Sequence, residues 1–273
     1  MKYILQLFER LYWRYRHALK LPCAHKRELK YRIMRLPSLN TPESFFPFPW
    51  GRIEYVEPFV LRGQYSEIYD ERHYAFRTDS AVPVIIDGGG NIGMSAIWFK
   101  QEYPQARLTV YEADPEVIKI LHRNLAATGT KGVDVINAAV WTRDGTVSFN
   151  NLGLDMGSVQ TDGAIRIPSI DLAEHLPERV DLLKLDIEGA EYSVVERLCS
   201  SGAIRRVRNF VAEYHVRRGD FDSFLNSLQL LRQAGFQVTA TSVSGSWLGQ
   251  ADAESAFERI GRNQILAEVY AWR

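Results

Sequence analysis

Val84-Ile85-Ile86-Asp87-Gly88-Gly89-Gly90-Asn91-Ile92-Gly93 is the stretch that decides the fold. Its apolar start, with two β-branched isoleucines, reads as the end of a strand buried on both faces. An acid and three consecutive glycines follow, a turn in which backbone can approach a ligand closely. Gly93-Met94-Ser95-Ala96-Ile97-Trp98-Phe99 then opens a helix. Strand, glycine turn and helix together form the frame of a nucleotide-type cofactor site.

Which cofactor turns on Asp87. Gly88-x-Gly90-x-x-Gly93 fits the dinucleotide spacing, with Glu112 standing about 20 residues further on. An NAD-dependent oxidoreductase is therefore the competing enzyme class. A carboxylate at the strand tip, however, would face the pyrophosphate that the helix N-terminus is meant to hold. S-adenosylmethionine has no phosphate and carries a sulfonium and an ammonium, so an acid at this turn attracts it. On this reading Asp87, Gly88, Gly89, Asn91 and Gly93 bind that cofactor.

The second motif is Arg107-Leu108-Thr109-Val110-Tyr111-Glu112-Ala113-Asp114-Pro115. Leu108 to Tyr111 form a strand, and Glu112 at its carboxyl end is placed to accept hydrogen bonds from both ribose hydroxyls. Asp114 caps the following helix, with Pro115 in its first turn. That helix, Glu116 to Ala127, carries Val117, Ile120, Leu121, Asn124 and Leu125 at helical spacing. Strands are expected near 84–87, 107–112, 133–137, 181–186 and 208–214, with helices between most of them. The fold class is α/β, a doubly wound Rossmann-like sheet. A helix from Phe221 to Ala234, a strand over 236–240 and a last strand over 265–272 complete it.

These motifs resemble those of class I S-adenosylmethionine-dependent methyltransferases, and among them the FkbM family. The family pattern Asp-x-Gly-x-Asn-x-Gly is here Asp87 to Gly93. Tyr111-Glu112-Ala113-Asp114-Pro115 follows, with Ala113 where the family usually has proline, then Asn137-Ala138-Ala139-Val140 and a turn at Arg143-Asp144-Gly145. Leu183-Lys184-Leu185-Asp186-Ile187-Glu188-Gly189-Ala190-Glu191 is the most specific piece, and Val211-Ala212-Glu213-Tyr214-His215 is a later strand ending in an acid. The resemblance covers roughly residues 82 to 240. It implies a mostly parallel sheet with one antiparallel C-terminal strand, methyl transfer, and acceptors among sugars, glycans and natural products.

Open parallel sheets gather ligands beyond the carboxyl ends of their strands. If strand four stays extended, Lys184, Asp186 and Glu188 project to one side, and the lysine pairs with Asp186 or Asp87. Glu213 and His215, two apart on strand five, share a side in the same way. Asp186, Glu188, Glu213 and His215 are therefore the catalytic candidates, and His215 is the best single base by its reference pKa. Oxygen and imidazole donors could also hold a divalent cation, but the spacing does not demand one, and no metal is assigned. Asn137 and Ala138 are placed against adenine. Tyr65 and Glu67, on a short helix over 63–69 ahead of the cofactor strand, are further cofactor contacts or members of an outer covering helix.

The chain has 273 residues, 46% hydrophobic and 24% charged, enough for one large α/β domain with extensions. Its net charge is zero, yet residues 1–36 carry ten Lys/Arg against Glu9 and Glu28. Ile4, Phe8, Leu11, Tyr15 and Leu19 recur there at helical spacing. Such a basic amphipathic helix suits a membrane surface, a homodimer contact or packing on the domain itself. Residues 1–60 are thus read as an arm, including a linker at Asn40-Thr41-Pro42 and 46–51 and an extended piece over 53–61. Residues 61–273 form the methyltransferase domain, with a hairpin inserted at 139–150 and a glycine-rich acceptor loop or connector at 153–163. Cys23 and Cys199 have no ligand spacing, and neither a signal peptide nor a membrane span is visible, so a cytoplasmic location is expected, or one peripheral to the inner face of the membrane. No nucleic-acid-binding motif appears. The expected function is O-methylation of a hydroxyl; a non-catalytic cofactor-binding module is the remaining alternative.

Overall fold

The computed structural model describes residues 44–150, 158–159, 165–217, 219–242 and 264–273. The basic N-terminal helix, and the 153–163 loop apart from Ser158 and Val159, lie outside them. The central sheet runs β12-β13-β11-β10-β3-β4-β5. Its members are β3 (Val84–Gly88), β4 (Arg107–Glu112), β5 (Val133–Asn137), β10 (Val180–Leu185), β11 (Val207–Arg217), β12 (Gln237–Ser242) and β13 (Gln264–Trp272). All neighbouring pairs are parallel except those made by β13, which is antiparallel to β11 and β12. This is the Rossmann-like methyltransferase arrangement that the motifs imply.

Every residue of β3 and β10 is buried, as a central parallel strand requires. Alternation divides their side chains between two cores. Ile85 and Leu182 join α2 (Met94–Glu102) and α3 (Val117–Ala127) on one face, whereas Ile86, Leu183 and Leu185 join α4 (Leu172–His175), α5 (Glu191–Ser200) and α6 (Phe221–Gln233) on the other. On α6, Phe224, Ser227 and Leu231 are the buried positions, a stripe at helical spacing.

Three local readings change. The expected linker is a hairpin from residue 44 onward: β1 (Ser44–Phe48) pairs antiparallel with β2 (Gly51–Tyr55). Phe46, Phe48, Ile53 and Tyr55 are buried there, so hydrophobic burial outweighs the prolines that suggested a break. Asn124 of α3 fastens this hairpin, accepting from Glu54 N and donating to Glu54 O, with a further bond to Ile92 O beside the glycine turn. Secondly, the chain after β2 is extended only to Tyr55. Helix α1 (Pro58–Tyr65) starts with proline in its first turn and runs on as a π-helical segment, Ser66–Glu71. Thirdly, the expected 139–150 hairpin does not close on itself. β6 (Ala139–Trp141) and β7 (Gly145–Asn150) are separated by β9 (Ile165–Asp171), parallel to the first and antiparallel to the second, with β8 (Ser158–Val159) beyond. A short turn favours direct pairing, but Ser169 of β9 occupies the register position opposite both Ala139 and Gly145.

Candidate active site

The glycine turn is closed against its neighbours by hydrogen bonds that leave no free N–H from Gly89 to Gly93. Gly89 N and Gly90 N both donate to Tyr111 O, at 2.9 and 3.0 Å. Asn91 N donates to Glu112 Oε2 at 2.7 Å, Ile92 N to Asn91 Oδ1 at 2.6 Å, and Gly93 N to Gly90 O at 2.9 Å. The N–H groups of the turn are therefore engaged within the protein. Glycine is required at two positions for space as well. A Cβ at Gly89, whose φ is +80°, would lie 1.8 Å from Asp186 O, and one at Gly90 would lie 2.1 Å from Val110 Cγ1.

Asp87 has a different place from the one expected. It is 0% exposed, under the turn rather than on its ligand side. Ser95 Oγ donates to its Oδ2 at 2.6 Å, and Lys184 Nζ lies 3.0 Å from its Oδ1. The two residues stand opposite one another in the β3–β10 register, so the buried lysine of one central strand neutralises the buried acid of the next. Burial works against the charged lysine, but Asp87 and Asp186 more than compensate and raise its pKa. Lys184 Nζ also donates to Gly89 O at 2.6 Å, gripping the turn from below. Asp87 therefore acts on the cofactor turn through Lys184 and Ser95, because direct contact would require it to leave the core.

Glu112, the last residue of β4, is tied into the glycine turn. Its Oε2 and Oε1 accept from Asn91 N and Asp114 N, and each oxygen keeps lone-pair capacity for a ribose hydroxyl. Burial, opposed by these N–H bonds, pushes its pKa up to about 7. Asn137 donates to the carbonyls of Glu112 and Ala113 at 2.8 and 3.0 Å, tying the ends of β5 and β4 together. Its Nδ2 is thus committed to the backbone. Ala138 is buried beside it. These residues fit a cofactor with a ribose and an adenine.

At the tips of β10 and β11 the four catalytic candidates converge. The strand stops at Leu185, so the extended alternation does not carry through to Glu188; its φ of +57° turns it back toward β11. His215 Nε2 lies 3.2 Å from Glu188 Oε2 and 3.7 Å from Glu213 Oε1. Burial lowers the His215 pKa, with Asp186 opposing it. Burial and then Asp186 push Glu213 up to about 10. Glu191 has a structural role: fully buried, it accepts from Ile187 N and Gly189 N and shapes the turn into α5.

Tyr65 and Glu67 part company. Tyr65 is buried and stacked between Phe48 and Tyr69, a core member of the hairpin packing instead of a cofactor contact. Glu67 is pushed up to about 7 by burial and by Asp186, which places it electrostatically with the acidic tips. Sequence reading missed the rest of that wall. Glu268 of β13 stands directly opposite Glu213, accepts from Tyr270 Oη at 2.6 Å, and pairs with His73 Nδ1. The final strand was legible, but its register against β11 was not. Tyr74 lies nearby, with Lys184 Nζ 5.5 Å from its ring centre. Among the described residues no helix is long and apolar enough to cross a membrane.

Comparison with known proteins agrees with this geometry. The Methyltransferase FkbM domain profile matches residues 87–238, more than half of the chain. Methyltransferase sdnD of Sordaria araneosa is 28% identical over 242 residues, covering 73% of this chain and 91% of its own length. The 2-O-methyltransferase NoeI of Sinorhizobium fredii is 25% identical over 160 residues, 50% of this chain and 65% of its own length. In fold, Methyltransferase FkbM from Methylobacillus flagellatus is similar with a TM-score of 0.50 at 16% identity, over 76% of this chain and 48% of that one. The chain thus belongs to the FkbM methyltransferase family and is an S-adenosylmethionine-dependent methyltransferase.

Proposed function

We propose that this enzyme methylates a hydroxyl oxygen on a sugar, glycan or natural-product acceptor. When bound, S-adenosylmethionine supplies an activated methyl on sulfur, so the protein has only to align the nucleophile, exclude water and accept its proton. Glu112 and the Gly88–Gly93 turn hold the adenosyl part, and Lys184 fixes the turn by its bond to Gly89 O. Transfer to the acceptor oxygen would release the hydroxyl proton, which a side chain at the tips of β10 and β11 would take.

The observation that supports this reading is the convergence of Asp186, Glu188, Glu213 and His215 at one point beyond the sheet. A hydroxyl is a weak nucleophile until its proton has somewhere to go, and a positioned base contributes typically 10²–10⁴-fold. The similarity to the 2-O-methyltransferase NoeI is in keeping with an oxygen acceptor. Tyr74, half-buried beside the cluster, offers an aromatic face to the apolar side of such a ring. The test is methyl transfer from labelled S-adenosylmethionine to a panel of hydroxylated sugars, polyketides and primary amines, with the product linkage read by mass spectrometry and NMR. An O-methyl ether is expected; methylation confined to amines would overturn the proposal.

A further inference from the structure

Asp186, Glu188 and His215 come from the ends of two neighbouring strands, and each offers one ligand atom within 4.8 Å of the other two. Nothing in their sequence spacing brings them together; the parallel pairing of β10 and β11 does. Ligands about 2.0–2.3 Å from one ion stand about 3 Å apart in adjacent positions of its shell. The 3.2 Å between His215 Nε2 and Glu188 Oε2 matches that spacing.

A second observation comes from the histidine alone. The His215 side chain is 7% exposed, and its ring points Nε2 into the cluster. Its Nδ1 is buried with no hydrogen-bond partner. A neutral imidazole has one N–H and one lone pair. With the proton on Nδ1, the Nε2 lone pair faces Glu188 and Glu213 and is placed to ligate a cation held by these carboxylates. Lys184 is held by Asp87 and Gly89 O and stands 3.9 Å from Asp186.

We propose that Asp186, Glu188 and His215 bind one divalent cation, with acceptor oxygens and water completing its shell. Two carboxylates and one imidazole suit Mg²⁺ or Mn²⁺ and other first-row divalent ions more than a soft thiolate-seeking one. The cation fixes the acceptor hydroxyl beside the transferred methyl and makes the hydroxyl proton easier to lose. This inference rests on the reading of the strand tips as the acceptor side of a methyl-transfer site.

The experiment uses the full chain stripped of metal by chelation and dialysis. MnCl₂ is titrated in, and free Mn²⁺ is followed by its electron paramagnetic resonance signal. One Mn²⁺ per chain is expected, displaced by Mg²⁺, with affinity at least tenfold weaker in His215→Ala and in Asp186→Asn. Glu188→Gln replaces a partly exposed side chain and should weaken binding without unfolding the protein, which a thermal melt checks. S-adenosylmethionine affinity, measured by calorimetry on the same metal-free protein, is expected to persist. No Mn²⁺ bound at millimolar concentration, or equal binding in all three variants, overturns the cation site whatever the cofactor result. Loss of cofactor binding in the metal-free protein, regained with metal, overturns the placement of the ion on the acceptor side.

Discussion

Replacing Lys184 by methionine tests the reasoning about the centre of the sheet. Lys184 is 2% exposed and Asp87 is 0% exposed, and they pair at 3.0 Å. Methionine keeps most of the volume and removes the charge, leaving Asp87 with Ser95 as its remaining partner. Removing one member of a buried ion pair costs about 3–5 kcal/mol. At about 2–4 °C per kcal/mol for a domain of this size, the melting temperature should fall by roughly 6–20 °C. The double variant Asp87→Asn/Lys184→Met removes both charges and should be more stable than the sum of the single effects implies, with a coupling energy of about 1–3 kcal/mol. Gly89 O loses its donor as well, so cofactor affinity should drop in the lysine variant even at temperatures where it stays folded. Urea denaturation of the four proteins gives the cycle, and calorimetry gives the affinity. A loss below about 1 kcal/mol for Lys184→Met with additive behaviour in the double variant would refute the argument.

Other outcomes follow from the same geometry. Gly89→Ala should abolish cofactor binding or folding, because its Cβ would meet the Asp186 carbonyl at 1.8 Å; a soluble variant of wild-type affinity in calorimetry would contradict this. His215→Ala should lower turnover at least tenfold while leaving cofactor affinity nearly intact, whether the residue takes a proton or holds an ion, and separate measurement of kcat and Kd decides it. Glu191 and Glu112 are raised to about 8 and about 7, above the usual carboxylate range near 4.3. Their stabilising contribution is therefore complete below the unfolded value and lost as pH rises through the folded ones. Thermal melts from pH 5.5 to 9 should show falling stability, with a shallower fall in Glu191→Gln; an identical slope in that variant would count against the assignment. Deleting residues 1–20 should remove vesicle association if the basic arm binds an anionic membrane, or halve the mass in solution if it joins two subunits. A truncated protein unchanged in both leaves the arm with neither role.

The strand–turn–helix frame was legible because it is local. Strand, turn and helix follow one another in sequence, and the Asp87–Gly93 and Tyr111–Pro115 motifs each carry their own geometry. All five parallel strands were placed within a few residues for the same reason: each is a short apolar run bounded by turn residues. Registers and long-range contacts were not legible. That Lys184 faces Asp87, that Glu268 faces Glu213, and that β9 separates β6 from β7 depend on which strands lie side by side. The residues 46–51 were misread because proline and glycine signal a break locally, while the burial of Phe46 and Phe48 is a tertiary effect. Asp87 shows the finer limit: its charge pointed to the right cofactor class, but a fully buried acid paired with lysine serves the turn from beneath.

Calorimetric titration of S-adenosylmethionine into the wild-type protein and into Glu112→Ala tests the central claim most directly. Glu112 holds the turn by accepting from Asn91 N and is the acid placed to receive the ribose hydroxyls. The account predicts one site per chain in the wild type, no binding of NADH, and a loss in the variant of about 1.5–3 kcal/mol, the range for hydrogen bonds to a charged group. Absence of S-adenosylmethionine binding in the folded wild-type protein, or undiminished affinity in a folded Glu112→Ala variant, would contradict it.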